Sequence, residues 1–218
     1  MSKLDDLDEM ASAAPANMRE HLARLPEQLA EALMLGRNAE LSLDSEGVSC
    51  VVAVGMGGSA IGADLAAALL SDRLRVPFFI VRDYRLPAHV GADTLVFVSS
   101  YSGHTEETLS AFRHACDRSA RIVCSTTGGR LSAEAAKRGI DVLSLPSGYP
   151  PRAALAFGLV PMLVVLARLG LAPEPDSDVT DAVTNSEECV RRFGIERPPS
   201  ENEAKQLAEW FSGGTPVI

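Results

Sequence analysis

Two loops and one proline-rich segment hold the residues whose types and spacing can do chemistry. The first loop is Val54-Gly55-Met56-Gly57-Gly58-Ser59-Ala60-Ile61-Gly62, between an apolar run and a segment of helical period. Glycines let a backbone approach a ligand and take positive φ, and a helix start presents free N–H groups at a positive dipole end. An anion is the expected occupant of such a place. As a dinucleotide fingerprint, Gly55, Gly57 and Ala60 fit G-x-G-x-x-G/A, and Asp83 after the second apolar run stands where an acid meets a ribose. As a P-loop the string fails, because Ala63 occupies the lysine position. As a nucleophile elbow it begins correctly at Gly57-Gly58-Ser59, but Ile61 replaces the second glycine. A tight strand-to-helix turn with no ligand is the remaining reading.

The second loop is Ser99-Ser100-Tyr101-Ser102-Gly103-His104-Thr105-Glu106-Glu107-Thr108. The hydroxyls of Ser100, Ser102 and Thr105 can donate to phosphate oxygens while N–H groups of the following helix start point at the same place. Ordinary N-capping by Ser102 or Thr105 would need one hydroxyl, worth about 1 kcal/mol; this loop offers a cluster. The third element is Leu145-Pro146-Ser147-Gly148-Tyr149-Pro150-Pro151-Arg152-Ala153-Ala154, which delivers Arg152 to the start of an apolar helix. A cation there opposes the helix dipole. It either reaches solvent or an acid, or faces the crevice and stabilises a developing oxyanion.

The 218-residue chain has 29 Asp+Glu against 20 Lys+Arg, a formal net charge of −9. Such a chain has no field to attract a phosphate backbone, which argues against nucleic-acid binding. An anionic ligand must be caught by local dipoles and hydroxyls. Cys50, Cys116, Cys124 and Cys189 lie far apart without a C-x-x-C pair, so neither a zinc site nor a disulfide framework is expected. The acidic start lacks the basic-then-apolar order of a signal peptide. The longest apolar stretch, residues 153–167, contains Pro161 and falls short of the roughly 20 residues needed to span a bilayer. A cytoplasmic protein with no metal, cofactor or membrane partner is expected.

These loops need elements to hold them. Residues 1–45 read as helix, with Leu22, Leu25, Leu29 and Leu33 at helical spacing and Pro26 marking a helix start. Apolar runs at 50–54, 76–81, 94–98, 121–124 and 140–145 then alternate with helical segments at 59–70, 105–117 and 131–137. Unbroken β-branched runs suit strands covered on both faces, the mark of a parallel sheet between helix layers. Residues 82–93 read as an irregular connection, 152–169 as a buried helix kinked or split at Pro161, 173–178 as a linker, and 179–192 and 201–211 as helices. Residues 215–218 look like the start of a strand, from which the chain is expected to be a piece of a longer protein. The domains expected are a helical segment 1–46, a ligand-binding domain 47–172, and linker helices with the start of a second domain, 173–218.

The fold expected is α/β, a doubly wound five-stranded parallel sheet of flavodoxin-like order with extra helices at both ends. In strand order 2-1-3-4-5 the first and third strands are neighbours, and ligands bind at the carboxyl ends of strands beside that switch point. The glycine loop and the hydroxyl loop leave those two strands, so both belong at one crevice.

With Thr127-Gly128-Gly129-Arg130-Leu131, these strings together resemble the bifunctional phosphoglucose/phosphomannose isomerase family, built from sugar-isomerase (SIS) domains. The likeness runs in order from about residue 20 to the end. The resemblance implies that Ser100, Ser102 and Thr105 hold a sugar phosphate, that Gly57, Gly58 and Ser59 meet the sugar, and that Arg152 stabilises an enediolate. It implies interconversion of glucose 6-phosphate or mannose 6-phosphate with fructose 6-phosphate, and a homodimer at full length. His104 stands where the family usually has asparagine. The family's general base is a glutamate in an Asn-Glu-Asn-Ala-Lys string of the second domain. Asn202-Glu203-Ala204-Lys205 is only superficially similar and Glu203 is not assigned as catalytic, so an N-terminal fragment lacking its base is expected. A non-catalytic phosphosugar-binding SIS module and an NAD(P)-binding oxidoreductase domain are the rival readings.

Overall fold

The computed structural model describes residues 3–13 and 18–214. Its helices and strands run α1 (Leu7–Ala13), α2 (Met18–Ala23), α3 (Leu25–Asn38), β1 (Cys50–Val54), α4 (Gly58–Leu69), β2 (Phe78–Val81), β3 (Thr94–Ser99), α5 (Glu106–Asp117), β4 (Arg121–Thr126), α6 (Gly129–Ala136), β5 (Asp141–Ser144), α7 (Leu155–Arg168), α8 (Asp176–Phe193) and α9 (Glu203–Phe211). Short 3-10 turns lie at Lys3–Asp5, Pro151–Ala153 and Pro199–Glu201. The chain divides into two compact units, Gln28–Val179, and Met1–Glu27 together with Thr180–Ile218.

The five strands form one parallel sheet in the order β2-β1-β3-β4-β5, as the alternation of runs predicts. Every residue of the central strands β1 and β3 is buried, whereas the edge strands β2 and β5 are partly open. This is why the central runs are continuously apolar. Successive side chains go to opposite faces. Val52, Val54, Val96, Val98, Ile122 and Cys124 meet Leu109, Phe112 and Ala115 of α5 and Leu131 and Ala135 of α6. Val51, Ala53, Leu95, Phe97, Val123 and Leu143 meet Ala63 and Ala66 of α4 and Met162, Leu163 and Leu166 of α7.

Several boundaries differ from the sequence reading. Instead of one helix over 1–45, the described residues form the separate helices α1, α2 and α3, residues 39–45 carry neither helix nor strand, and Leu22 is exposed. The sheet-bearing unit extends beyond 47–172, because Leu29 and Ala32 of α3 are buried and Leu35, Ala39, Leu41 and Leu43 pack against one face of its core. The apolar helix begins at Leu155 and continues unsplit through Pro161. Upstream of it the chain coils as a 3-10 turn, with Ala153 N donating to Pro150 O (2.8 Å) and Ala154 N to Pro151 O (3.3 Å). Helix α8 starts at Asp176, where Asp176 and Asp178 suit the positive dipole end. Residues 82–93 carry neither helix nor strand, as read; the strand expected at 215–218 lies outside the described residues.

Helices α4 and α7 cross at Gly62 and Gly158. A Cβ added at Gly62 would lie 2.6 Å from the carbonyl carbon and oxygen of Gly158, a contact with backbone that no rotamer change relieves. Alanine would gain about 1 kcal/mol of helix propensity and lose about 1–3 kcal/mol to overpacking. Gly62→Ala is therefore expected to destabilise the protein by about 1 kcal/mol, read as a lower urea midpoint at unchanged m value.

Candidate functional site

Of the loops that leave the carboxyl edge of the sheet, the four after β1, β3, β4 and β5 are tied to one another. The tightest join is between the loops after β3 and β4. Gly103 has φ 68°, and a Cβ there would sit 1.9 Å from Gly128 O; one at Gly129, φ 70°, would sit 2.5 Å from Ser102 O. Only glycine permits both the left-handed turns and this approach.

Tyr101 connects all four loops. Its N–H donates to Ser59 Oγ (3.2 Å), which brings the glycine loop and the hydroxyl loop together at the switch point. Its carbonyl accepts from Thr127 N (3.0 Å) and from Thr127 Oγ1 (2.8 Å). Its phenol donates to Pro146 O (2.8 Å) and accepts from Tyr149 N (3.0 Å). Burial pushes the Tyr101 phenol up from its ordinary value, so it remains a proton donor at neutral pH. The sequence reading missed Tyr101 and Thr127 as organising residues. The only available signal was an aromatic residue between two hydroxyl residues, in a loop otherwise made of small and polar ones.

Within the hydroxyl loop, Ser100 is wholly buried and its Oγ donates to Thr105 Oγ1 (3.0 Å). Ser102 is exposed, and its Oγ accepts from His104 N (3.3 Å). Thr105 is the N-cap residue of α5 but makes no side-chain cap bond. The hydroxyls are thus engaged with the loop itself and not with the first amides of α5, which remain for an anion. Ser100 orients Thr105, whose own hydrogen is left to be donated outward.

In the glycine loop, Gly57 has φ 50° and ends the strand-to-helix turn. Gly55 N donates to Val81 O (3.3 Å), Ser59 N to Met56 O (3.1 Å) and Ala60 N to Gly57 O (3.0 Å), so the loop amides left for a ligand are those of Met56, Gly57 and Gly58. Ser59 Oγ accepts from Tyr101, which leaves its own hydrogen to donate. A Cβ at Gly58 would lie 3.1 Å from Pro151 O, so the Pro151–Ala153 turn closes on the start of α4. Arg152 is exposed on that turn and has no hydrogen bond or ion pair among the described residues. It precedes α7 instead of occupying its first turn, because Pro150 and Pro151 set the tighter 3-10 geometry.

The string at 202–205 is structural. Asn202 is buried and caps α9, its Oδ1 accepting from Lys205 N (3.1 Å) and its Nδ2 donating to Gly194 O (3.0 Å). Lys205 is buried and its Nζ donates to Ile195 O (2.7 Å). Glu203 pairs with Arg192 at the surface. Asp83, the candidate ribose acid, is exposed and its Oδ1 accepts from Tyr84 N (2.6 Å). Cys50 and Cys124 are buried thiols pushed up by burial. Among the described residues no group of His, Cys, Asp and Glu side chains forms a metal-type cluster, and no helix is long and apolar enough to cross a membrane.

No family model matches the chain. It is 40% identical over 201 residues to the bifunctional phosphoglucose/phosphomannose isomerase of Caldicellulosiruptor bescii, covering 92% of this chain and 59% of that protein. It is 36% identical over 169 residues to the protein of the same name from Aquifex aeolicus, covering 77% of this chain and 49% of that one. The chain thus spans about half the length of the relatives it matches. Among solved structures, the C-terminal domain of glucosamine-fructose-6-phosphate aminotransferase from Francisella tularensis superposes with a TM-score of 0.64 at 18% identity, over 92% of this chain and 61% of that one. That likeness is one of fold.

Removing the phenol oxygen leaves Pro146 O and Tyr149 N without their partner. Tyr101→Phe is expected to cost about 1–3 kcal/mol at neutral pH, measured by urea unfolding. Burial holds the folded-state value above that of a free phenol, so the phenol's stabilisation is whole below the free value and is lost as pH rises through the folded one. The wild-type chain should therefore lose more stability than Tyr101→Phe above about pH 10, and the difference isolates Tyr101 from the other raised groups.

Proposed function

Since the chain belongs to the bifunctional phosphoglucose/phosphomannose isomerase family, we propose that it binds a hexose 6-phosphate for aldose–ketose isomerisation, interconverting glucose or mannose 6-phosphate with fructose 6-phosphate. The observation that supports this most is the Tyr101 N–H bond to Ser59 Oγ, which joins two anion-type loops at one crevice. In this reading residues 47–172 supply the phosphosugar site. The phosphate lies at the start of α5, held by Ser102, Thr105 and the free amides, with Ser100 orienting Thr105. Gly57, Gly58 and Ser59 meet the sugar.

The chemistry follows from that placement. A base removes the C2 proton of the opened sugar, and the resulting enediolate is reprotonated at C1. Glucose and mannose differ only at C2, so one site serves both if it accepts either face of that carbon. The Arg152 guanidinium, without a hydrogen bond or ion pair among the described residues, is the group we assign to the enediolate oxygens. Phosphate anchorage lowers the entropic cost of aligning the reacting carbon. With charge handled by Arg152 and by hydroxyls, the reaction needs neither metal nor organic cofactor. We assign the general base to a residue outside these 218. Glu203 is a poor candidate, since Arg192 engages its carboxylate. The whole protein is read as a cytoplasmic homodimer.

Fructose 6-phosphate is expected to raise the melting temperature of the chain, while fructose and NAD(P) leave it unchanged. Preferential stabilisation by NAD(P) would instead favour the oxidoreductase reading. Ser102→Ala combined with Thr105→Val should weaken fructose 6-phosphate binding by at least about tenfold in calorimetry, a loss of about 1.4 kcal/mol. In a coupled assay residues 1–218 are expected to show little turnover; robust isomerisation would place the base inside the chain.

A further inference from the structure

The 146–152 segment, which carries Arg152, is poor in means of holding itself in place. Pro146, Pro150 and Pro151 have no N–H to donate, and Gly148 sits at φ 94°. Its Pro146 carbonyl and its Tyr149 N–H go to the same atom, the phenol oxygen of Tyr101. Tyr101 itself lies between Ser100 and Ser102, with its peptide N–H on Ser59 and its carbonyl on Thr127. A bond to this phenol therefore measures the segment's position against the anion loop directly. Downstream, the Tyr149 ring packs on Phe157 near the start of α7, with centroids 5.4 Å apart, so the chain around Arg152 is braced from both sides. The phenol oxygen both donates and accepts within the protein, which leaves it without a free role as acid or base.

We infer that Tyr101 is a positioning residue: its phenol holds the 146–152 segment in register with the hydroxyl loop, so that Arg152 reaches the sugar while Ser102 and Thr105 hold the phosphate. The inference rests on the phosphosugar reading of the crevice. It goes further by naming a residue that acts on the sugar end of the ligand through Arg152 and leaves the phosphate end alone.

The test is a double-mutant cycle of Tyr101→Phe and Arg152→Gln in the 218-residue chain. Fructose 6-phosphate and inorganic phosphate are titrated calorimetrically, and amide exchange is followed without ligand. Tyr101→Phe is expected to speed exchange of the Tyr149 amide by at least about tenfold more than it speeds the core amides of α5, which report the loss of global stability and serve as the control for a folded protein. It should weaken fructose 6-phosphate by about tenfold, leave phosphate affinity within about twofold, and add nothing in the Arg152→Gln background. Additive penalties in the double variant, an equal loss of phosphate affinity, or unchanged Tyr149 exchange would each overturn the inference. A wild-type chain that binds neither ligand sinks the phosphosugar reading, and the role of Tyr101 toward Arg152 with it. Faster Tyr149 exchange in Tyr101→Phe would then still show that the phenol holds the segment.

Discussion

The peptide unit and phenol of Tyr101 form the junction on which the rest of the carboxyl edge depends. Four loops leave strands of the same sheet, and such loops have little secondary structure to lock them together. Placing both polar ends of one half-buried residue among them solves this without a large interface. The backbone ties the loops after β1 and β4 to the hydroxyl loop, and the phenol ties the loop after β5. Each bond is modest in net energy, but each satisfies a group that would otherwise be costly to leave unpaired.

Anion chemistry in a chain of formal charge −9 has to be local. The start of α5, the Gly57 and Gly58 amides and the free hydrogens of Ser59 and Thr105 supply directed dipoles. These act within a few ångströms and do not depend on a favourable net charge. In the proposed reading Arg152 adds a formal positive charge to these dipoles. In that reading the labour is divided: dipoles hold a charge that is always present, and a guanidinium meets a charge that arises during reaction.

The two packed layers serve this edge. Gly62 against Gly158 lets α4 and α7 approach closely, which seats the start of α4 and the turn carrying Arg152 side by side. On the other face, α5 and α6 cover the sheet through Leu109, Phe112 and Leu131, and Leu131 N also donates to Gly103 O (3.0 Å). Core packing and loop geometry are thus linked through the same residues.

The sequence by itself determined the sheet, its order and the edge from which the glycine and hydroxyl loops leave. Continuous β-branched runs can only be buried on both faces, and helical segments between them force parallel pairing. Glycine and hydroxyl residues at strand exits then mark the loops. At 202–205 the structure adds that Asn202 caps α9 and that Lys205 is buried. Only the tertiary structure decided how those loops are held. That the Ser100 hydroxyl bonds Thr105, that Thr105 does not cap its helix, and that Arg152 precedes α7 on a separate turn are local outcomes that spacing left open, and the ties that hold the loops together join residues tens of positions apart. Tyr101 and Thr127 bond across 26 positions, and Tyr101 and Tyr149 across 48. Local spacing records what a residue can offer; only the folded chain selects which distant partner accepts it.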